Sequence, residues 1–364
     1  MSAWSEGTLS DVAEIIMGQS QIGETCNSNG NGVPFLNGPT EFGNKFPSPV
    51  QFTTDPKRIS EIYDILFCVR GSTTGRMNWS DQKYALGRGL AAIRHKNGEE
   101  YKYFVRGIID FNLPLLLASA TGSTFPNVSR DQIEALEISI PPLPEQKSIA
   151  AVLSSLDDKI DLLHRQNRTL EAMAATLFRQ WFVEEAGEDW KNGTLGDVLD
   201  LVYGKALKEE IRTGSGFPVV GSSGIVGYHS EYLVEGPGIV IGRKGTLGKV
   251  NYLFESFFPI DTTYYIKPKA ASAGLFYEYF LLKTLNFENS DSAVPGLNRD
   301  IALSEELKLA PGVKINDFNK YCESIFGKIK TNTSQTRTLE TLRDTLLPKL
   351  MSGEVRVALD REAA

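Results

Sequence analysis

Trp4-Ser5-Glu6-Gly7-Thr8-Leu9-Ser10-Asp11-Val12 returns as Trp190-Lys191-Asn192-Gly193-Thr194-Leu195-Gly196-Asp197-Val198, each shared residue 186 positions later. Four further landmarks repeat in the same order. Arg70-Gly71-Ser72-Thr73-Thr74-Gly75-Arg76 returns more loosely as Arg243-Lys244-Gly245-Thr246-Leu247-Gly248-Lys249. Pro126 with Arg130-Asp131 returns as Pro295 with Arg299-Asp300, 169 positions later. Arg168-Thr169-Leu170-Glu171 and Thr176-Leu177 return as Arg337-Thr338-Leu339-Glu340 and Thr345-Leu346, also 169 later. The shrinking offset marks an internal duplication whose second copy is shortened by loop deletions.

Each copy reads as a mixed module followed by a long helix. The modules hold short β-prone runs, such as Ile62 to Val69, Gly238 to Gly242 and Thr262 to Lys267, between Gly and Pro punctuation. Pro141-Pro142-Leu143-Pro144 closes the first module and suits the first turn of a helix. From there apolar positions alternate in steps of four and three: Ile149, Leu153, Leu156, Ile160, Leu163, (Asn167), Leu170, Ala174, Leu177 and Trp181. The second helix repeats the pattern with Phe318, Cys322, Ile325, Ile329, (Asn332), (Thr336), Leu339, Arg343, Leu346 and Leu350, and Gly353 is its stop signal. Both are coiled-coil seams. Antiparallel pairing under a pseudo-twofold sets Asn167 opposite Asn332, Leu163 opposite Thr336 and Arg343 opposite Leu156, in a register where paired numbers sum to 499. Helices of roughly 35–40 residues would hold the modules on the order of 50–60 Å apart.

Composition narrows the function classes. The 364 residues suffice for two or more domains, and 41% hydrophobic with 23% charged residues is ordinary for a folded chain. The net charge of -7 excludes a uniformly basic DNA-coating protein but leaves room for local basic faces. Cys26, Cys68 and Cys322 are isolated, and His95, His164 and His229 share no ligand spacing, so neither a disulfide framework nor a metal site is expected. The N-terminal residues lack signal-peptide character, and no apolar run approaches the ~20 residues of a membrane span. A soluble, cytoplasmic protein is expected.

The Gly-rich turn from Arg70 to Arg76 combines backbone N–H groups, the hydroxyls of Ser72, Thr73 and Thr74, and a guanidinium at either end. That chemistry suits phosphate oxygens and base edges, and Arg243, Lys244, Thr246 and Lys249 supply its counterpart. An ordinary hairpin whose glycines take positive φ is the alternative reading. Arg130 and Arg299 are further DNA-contact candidates, although an Arg beside an Asp also suits a helix-start ion pair. Tyr84, Arg88, Arg94 and His229 are additional candidates for the same role. Gly221-Ser222-Ser223-Gly224 reads first as a flexible loop, because no phosphate-loop motif follows it.

Ile140-Pro141-Pro142-Leu143-Pro144-Glu145-Gln146, then Leu153-x-x-Leu156-Asp157-x-Lys159-Ile160, resembles the specificity subunit of type I restriction-modification systems. So do Asn167-x-Thr169-Leu170, Leu177-Phe178-x-x-Trp181-Phe182, Asp64-Ile65-Leu66-Phe67 leading to Arg70-Gly71-Ser72, and Leu346-Leu347-Pro348-Lys349-Leu350-Met351-Ser352-Gly353-Glu354. The resemblance implies an α+β architecture: two mixed target-recognition domains (1–142 and 186–312) separated by two helices (143–185 and 313–353) in an antiparallel coiled coil, then a tail (354–364). It also implies a non-catalytic subunit that binds double-stranded DNA, two adenine-N6 methyltransferase subunits and, in the full complex, ATP-dependent restriction subunits. S-adenosylmethionine, ATP and Mg would then belong to those partners, with no cofactor here. The second helix departs from the pattern, beginning after Ala310-Pro311-Gly312-Val313-Lys314-Ile315 without the Pro-Pro-Leu-x-Glu-Gln lead-in.

The modules have little else in common in sequence, so each should read a different half-site of an asymmetric, bipartite target. Two rivals are a stand-alone DNA adenine methyltransferase and a scaffold that binds no DNA. The first lacks an Asn/Asp-Pro-Pro-aromatic motif, since Pro141-Pro142 is flanked by Ile140 and Leu143. Only the Arg/Lys placement and the resemblance oppose the second.

Overall fold

A computed structural model describes residues 4–120, 126–270, 274–285, 287 and 296–357. It forms two compact units, Met1–Asp161 with Thr336–Ala364, and Leu162–Gln335. The packing boundaries therefore cut through the two long helices, Leu143–Arg179 and Gly312–Met351. The modules read from sequence, 1–142 and 186–312, each lie within one unit.

In the first unit an antiparallel sheet runs in the order Ala13–Met17, Leu90–His95, Ile65–Cys68, Met77–Trp79. A smaller sheet joins Cys26–Asn27, Gln51–Thr53, Val33–Leu36 and Ala85–Leu86, the last two parallel. The second unit repeats the plan. Its main sheet is ordered Leu199–Tyr203, Thr263–Pro268, Gly238–Gly242, Val250–Leu253. Its smaller sheet joins Gly224–His229, Phe217–Gly221 and Phe258–Pro259, again with a final parallel pair. The duplication read from short landmarks therefore extends to strand order. Pro295, part of the third landmark, lies outside the described residues.

In each unit the first and last strands of the module pair antiparallel, Ser5–Thr8 with Glu137–Ile140 and Lys191–Thr194 with Glu306–Leu309. The next residues turn into a short helix through a capping box: Asp11 accepts from the Thr8 N–H at 2.7 Å, and Asp197 from the Thr194 N–H at 2.8 Å. Buried Leu9 and Leu195 follow.

The long helices complete both cores. In the first unit Ile149, Leu153, Leu350 and Met351 pack with Phe104, Val105 and Ile108 of helix Lys102–Ser119. In the second, Phe178, Phe182, Phe318 and Phe326 pack with Tyr277 and Phe280 of helix Phe276–Thr284. Edge-to-face rings dominate there, Phe182 meeting Phe318 at 5.3 Å and Tyr277 at 4.9 Å.

Along the seam Leu153, Ile160, Leu163, Ile325, Asn332 and Thr336 are buried, and Leu156, Asn167, Leu170, Leu177, Ile329, Leu339 and Leu346 are half-buried. In the second unit Asn332 Nδ2 donates to Asn167 Oδ1 at 2.9 Å, and Asn167 Nδ2 to Thr333 Oγ1 at 3.3 Å. In the first, Arg343 is answered by Asp157, beside Leu156, at 3.0 Å.

The Pro-Pro-Leu-Pro-Glu-Gln segment fastens the first helix to its module. Glu145 accepts from Trp4 Nε1 at 3.1 Å and pairs with both Arg356 Nε and Nη2. Gln146 Nε2 donates to the Pro141 carbonyl at 2.8 Å, while its Oε1 lies 2.9 Å from His95 Nε2. His95 Nδ1 accepts from the Asn97 N–H at 2.9 Å, so Nε2 carries the ring proton. The second helix substitutes Lys314, which lies over the Trp190 ring at 5.3 Å.

Burial holds the His95 imidazole below its ordinary 6.5. The folded state refuses a proton that the unfolded state takes, so stability falls as pH drops below about 6.5 towards the depressed folded value. Chemical denaturation of wild type and His95→Gln at pH 7.5 and 5.5 checks this: the variant loses less stability on acidification.

Candidate nucleic-acid interface

Both modules project a turn between the inner and edge strands of the main sheet: Ile65–Cys68 to Met77–Trp79, and Gly238–Gly242 to Val250–Leu253. Cys68 pairs with Leu90 and Gly242 with Thr263, after which Val69 N donates to Gly89 O and Arg243 N to Thr262 O, both at 2.9 Å. The structural counterpart of Arg70 is therefore Lys244, not Arg243. Gly71 and Gly245 then coincide, each with positive φ (99° and 79°), and Ser72 matches Thr246. The first turn is one residue longer, and the two come back into step where Cys68 N meets Arg76 O and Gly242 N meets Lys249 O.

Several sequence candidates are engaged within the fold. Thr74 Oγ1 donates to the carbonyls of Gly71 and Pro126, both at 2.8 Å. Arg76 donates to the carbonyls of Pro39 at 3.2 Å and Phe42 at 2.7 Å, and Lys249, its counterpart, to that of Ser223 at 2.5 Å. Both cations thus tie their turn to the neighbouring loops. Arg243 lies over the rings of Tyr203 (4.9 Å) and Tyr264 (5.6 Å) and donates to the Asp261 carbonyl. Arg130 pairs with Glu134 at 2.7 Å along its own helix. Arg299 donates to the Leu201 carbonyl and to Asp200, both at 2.7 Å, bolting its helix to the sheet.

The further candidates divide. Tyr84 is fully buried with its hydroxyl on Asp81, and Arg94 pairs with buried Asp64 at 2.8 Å. His229 packs edge-on to Phe258, and His164 is exposed on its helix. Arg70, Ser72, Thr73, Lys244 and Thr246 are exposed. The side chains of Arg70 and Lys244 make no hydrogen bond or ion pair among the described residues. Sequence reading missed Tyr203, half of whose surface is open above Arg243. Its only signal is an aromatic residue at the end of a strand.

The family profile of the type I restriction modification DNA specificity domain matches residues 1–172 and 187–309. The chain belongs to this family. It is 36% identical over 158 residues to the putative type I restriction enzyme MjaX specificity subunit of Methanocaldococcus jannaschii, covering 43% of this chain and 37% of that protein. It is 27% identical over 278 residues to the MjaIX specificity subunit of the same organism, covering 65% and 64%. The chain thus spans less than two thirds of the length of either relative. Its fold is shared with the S subunit of the type I restriction-modification system from M. genitalium, at a TM-score of 0.59, 23% identity and 96% coverage of both chains. Among the described residues, no group of three or more His, Cys, Asp or Glu could hold a metal ion. No described helix is long and apolar enough to cross a membrane.

Arg76→Ala, Lys249→Ala and Arg299→Ala should act on stability. Each removes charge-assisted bonds to carbonyls or carboxylates, at about 1–2 kcal/mol. Denaturant melts of the three variants beside wild type will show that loss.

Proposed function

We propose that this chain is the sequence-reading, non-catalytic subunit of a cytoplasmic type I restriction-modification complex, in which each module engages one half of an asymmetric, bipartite DNA target. The observation that carries this reading is the pair of matched turns. Both present an exposed cation followed two residues later by an exposed hydroxyl, Arg70 with Ser72 and Lys244 with Thr246, on one sheet topology. A guanidinium meets guanine O6 and N7 in a planar fork, whereas an ammonium is a point donor, so the equivalent positions offer a base different donor geometries.

Family membership supports the partners. Two adenine-N6 methyltransferase subunits dock on the helices Leu143–Arg179 and Gly312–Met351, which set the spacing between half-sites. Restriction subunits join the full complex. S-adenosylmethionine, ATP and Mg belong to those partners, and this chain itself needs no cofactor. With a net charge of -7, phosphate attraction rests on local cations and on the partner subunits.

The test is binding of the assembled methyltransferase complex to a DNA library at two salt concentrations. Arg70→Ala weakens discrimination in one half-site and Lys244→Ala in the other, each by about 1–3 kcal/mol. Affinity falls steeply as salt rises. Equal effects of either variant on both half-sites would reject one module per half-site.

A further inference from the structure

Beside each turn, the chain leading into the central strand makes a second turn, Gly87-Arg88-Gly89 in the first module and Ile260-Asp261-Thr262 in the second. Leu90 N donates to Gly87 O, and Thr263 N to Ile260 O, so the two are structural equivalents. Arg70, which bridges to Asn127, and Arg88, in the turn, each lie one residue beyond the Val69–Gly89 bond. In the second module Lys244 and Asp261 likewise each lie one residue beyond the Arg243–Thr262 bond.

Three features separate this position from an ordinary surface charge. Arg88 and Asp261 are exposed, and neither side chain has a hydrogen bond or ion pair among the described residues. Arg94, Arg76 and Arg299 nearby in their modules all have internal partners. The first module thus places two exposed guanidiniums, Arg70 and Arg88, each one residue beyond the same backbone bond and without a counterion among the described residues. Finally, the turn is rigid. Gly87 N donates to Leu36 O at 2.8 Å, and a Cβ at Gly87 or Gly89 would lie 2.7 Å from Asn37 Cα or 2.9 Å from Asn37 O. In the second module Ile260 N donates to Val220 O at 2.9 Å, and Arg243 holds the Asp261 carbonyl at 3.1 Å.

We propose that residues 88 and 261 are equivalent base-reading positions that make the two half-sites unlike, an inference that rests on the reading of the modules as DNA binders. The acid decides between backbone and base. A carboxylate is repelled by phosphate and has only acceptor oxygens, so at a duplex it is favoured where a base amino group meets it, cytosine N4 above all. Arg88 then faces the acceptor pair of guanine, O6 and N7. The first module's turn presents two cations, and the second presents one cation and one anion.

The experiment selects bound sequences from a randomised duplex library with the full chain assembled with its methyltransferase subunits, comparing wild type, Arg88→Ala, Arg88→Lys and Asp261→Asn. Loss of a bidentate contact lowers discrimination about 5- to 150-fold at the base pair concerned. Arg88→Ala flattens a guanine preference in the half-site that Arg70→Ala also alters, and Arg88→Lys retains part of it. Asp261→Asn weakens a cytosine or adenine preference in the other half-site. Thermal midpoints stay at or above wild type, since no internal partner is lost. A uniform drop in affinity with an unchanged sequence preference would make Arg88 a phosphate contact and overturn the proposal, as would variants indistinguishable from wild type. Wild type selecting no sequence would instead overturn the DNA-reading function on which the proposal rests.

Discussion

The structure depends on closure of each module by its own ends. Ser5–Thr8 pairs with Glu137–Ile140, and Lys191–Thr194 with Glu306–Leu309, so the chain enters and leaves each module through one two-stranded ladder. Burial fixes that ladder in place. Leu9 and Leu195 are fully buried one residue after it, and the capping boxes of Thr8 and Thr194 set the angle at which the chain turns inward. With entrance and exit stapled together, the segment between them can change without disturbing the helix that follows.

This closure explains how two modules of little shared sequence keep one topology. The main sheets have the same strand order, and both smaller sheets end in a parallel pair. One difference falls at an end of the main sheet, where a turn loses a residue and Arg88 gives way to Asp261. Packing density restricts change in the cores, whereas exposed turn side chains carry no such restriction. A duplicated scaffold thereby acquires two chemically distinct ends.

The closure is also the part of the fold most legible in sequence. Each repeated residue from Trp4 to Val12 has a task in it: Trp4 contacts Glu145, Gly7 leaves room for Ile140 and Asp11, Thr8 and Asp11 form the capping box, and Leu9 and Val12 are buried. The helices were readable for a similar reason, because a seam of fixed period must bury its apolar positions. The site was less legible. Composition shows that Arg76, Arg299 and Lys249 are cations, but their partners are carbonyls and carboxylates distant in sequence, such as those of Phe42, Leu201 and Asp200. The equivalence of Arg70 with Lys244 was hidden by the one-residue turn deletion, since aligning basic residue with basic residue selects Arg243. Only the ladder register, Cys68 with Leu90 and Gly242 with Thr263, corrects it.

Replacement of the second module by a copy of the first, joined at the closing ladders, tests the central claim most directly. The base modification pattern left by the assembled complex on genomic DNA is then sequenced. If each closed module carries its own half-site, the chimaera modifies a target whose two halves are the same and match the half-site of the first module. Persistence of the wild-type second half-site in a folded, active chimaera would contradict the account.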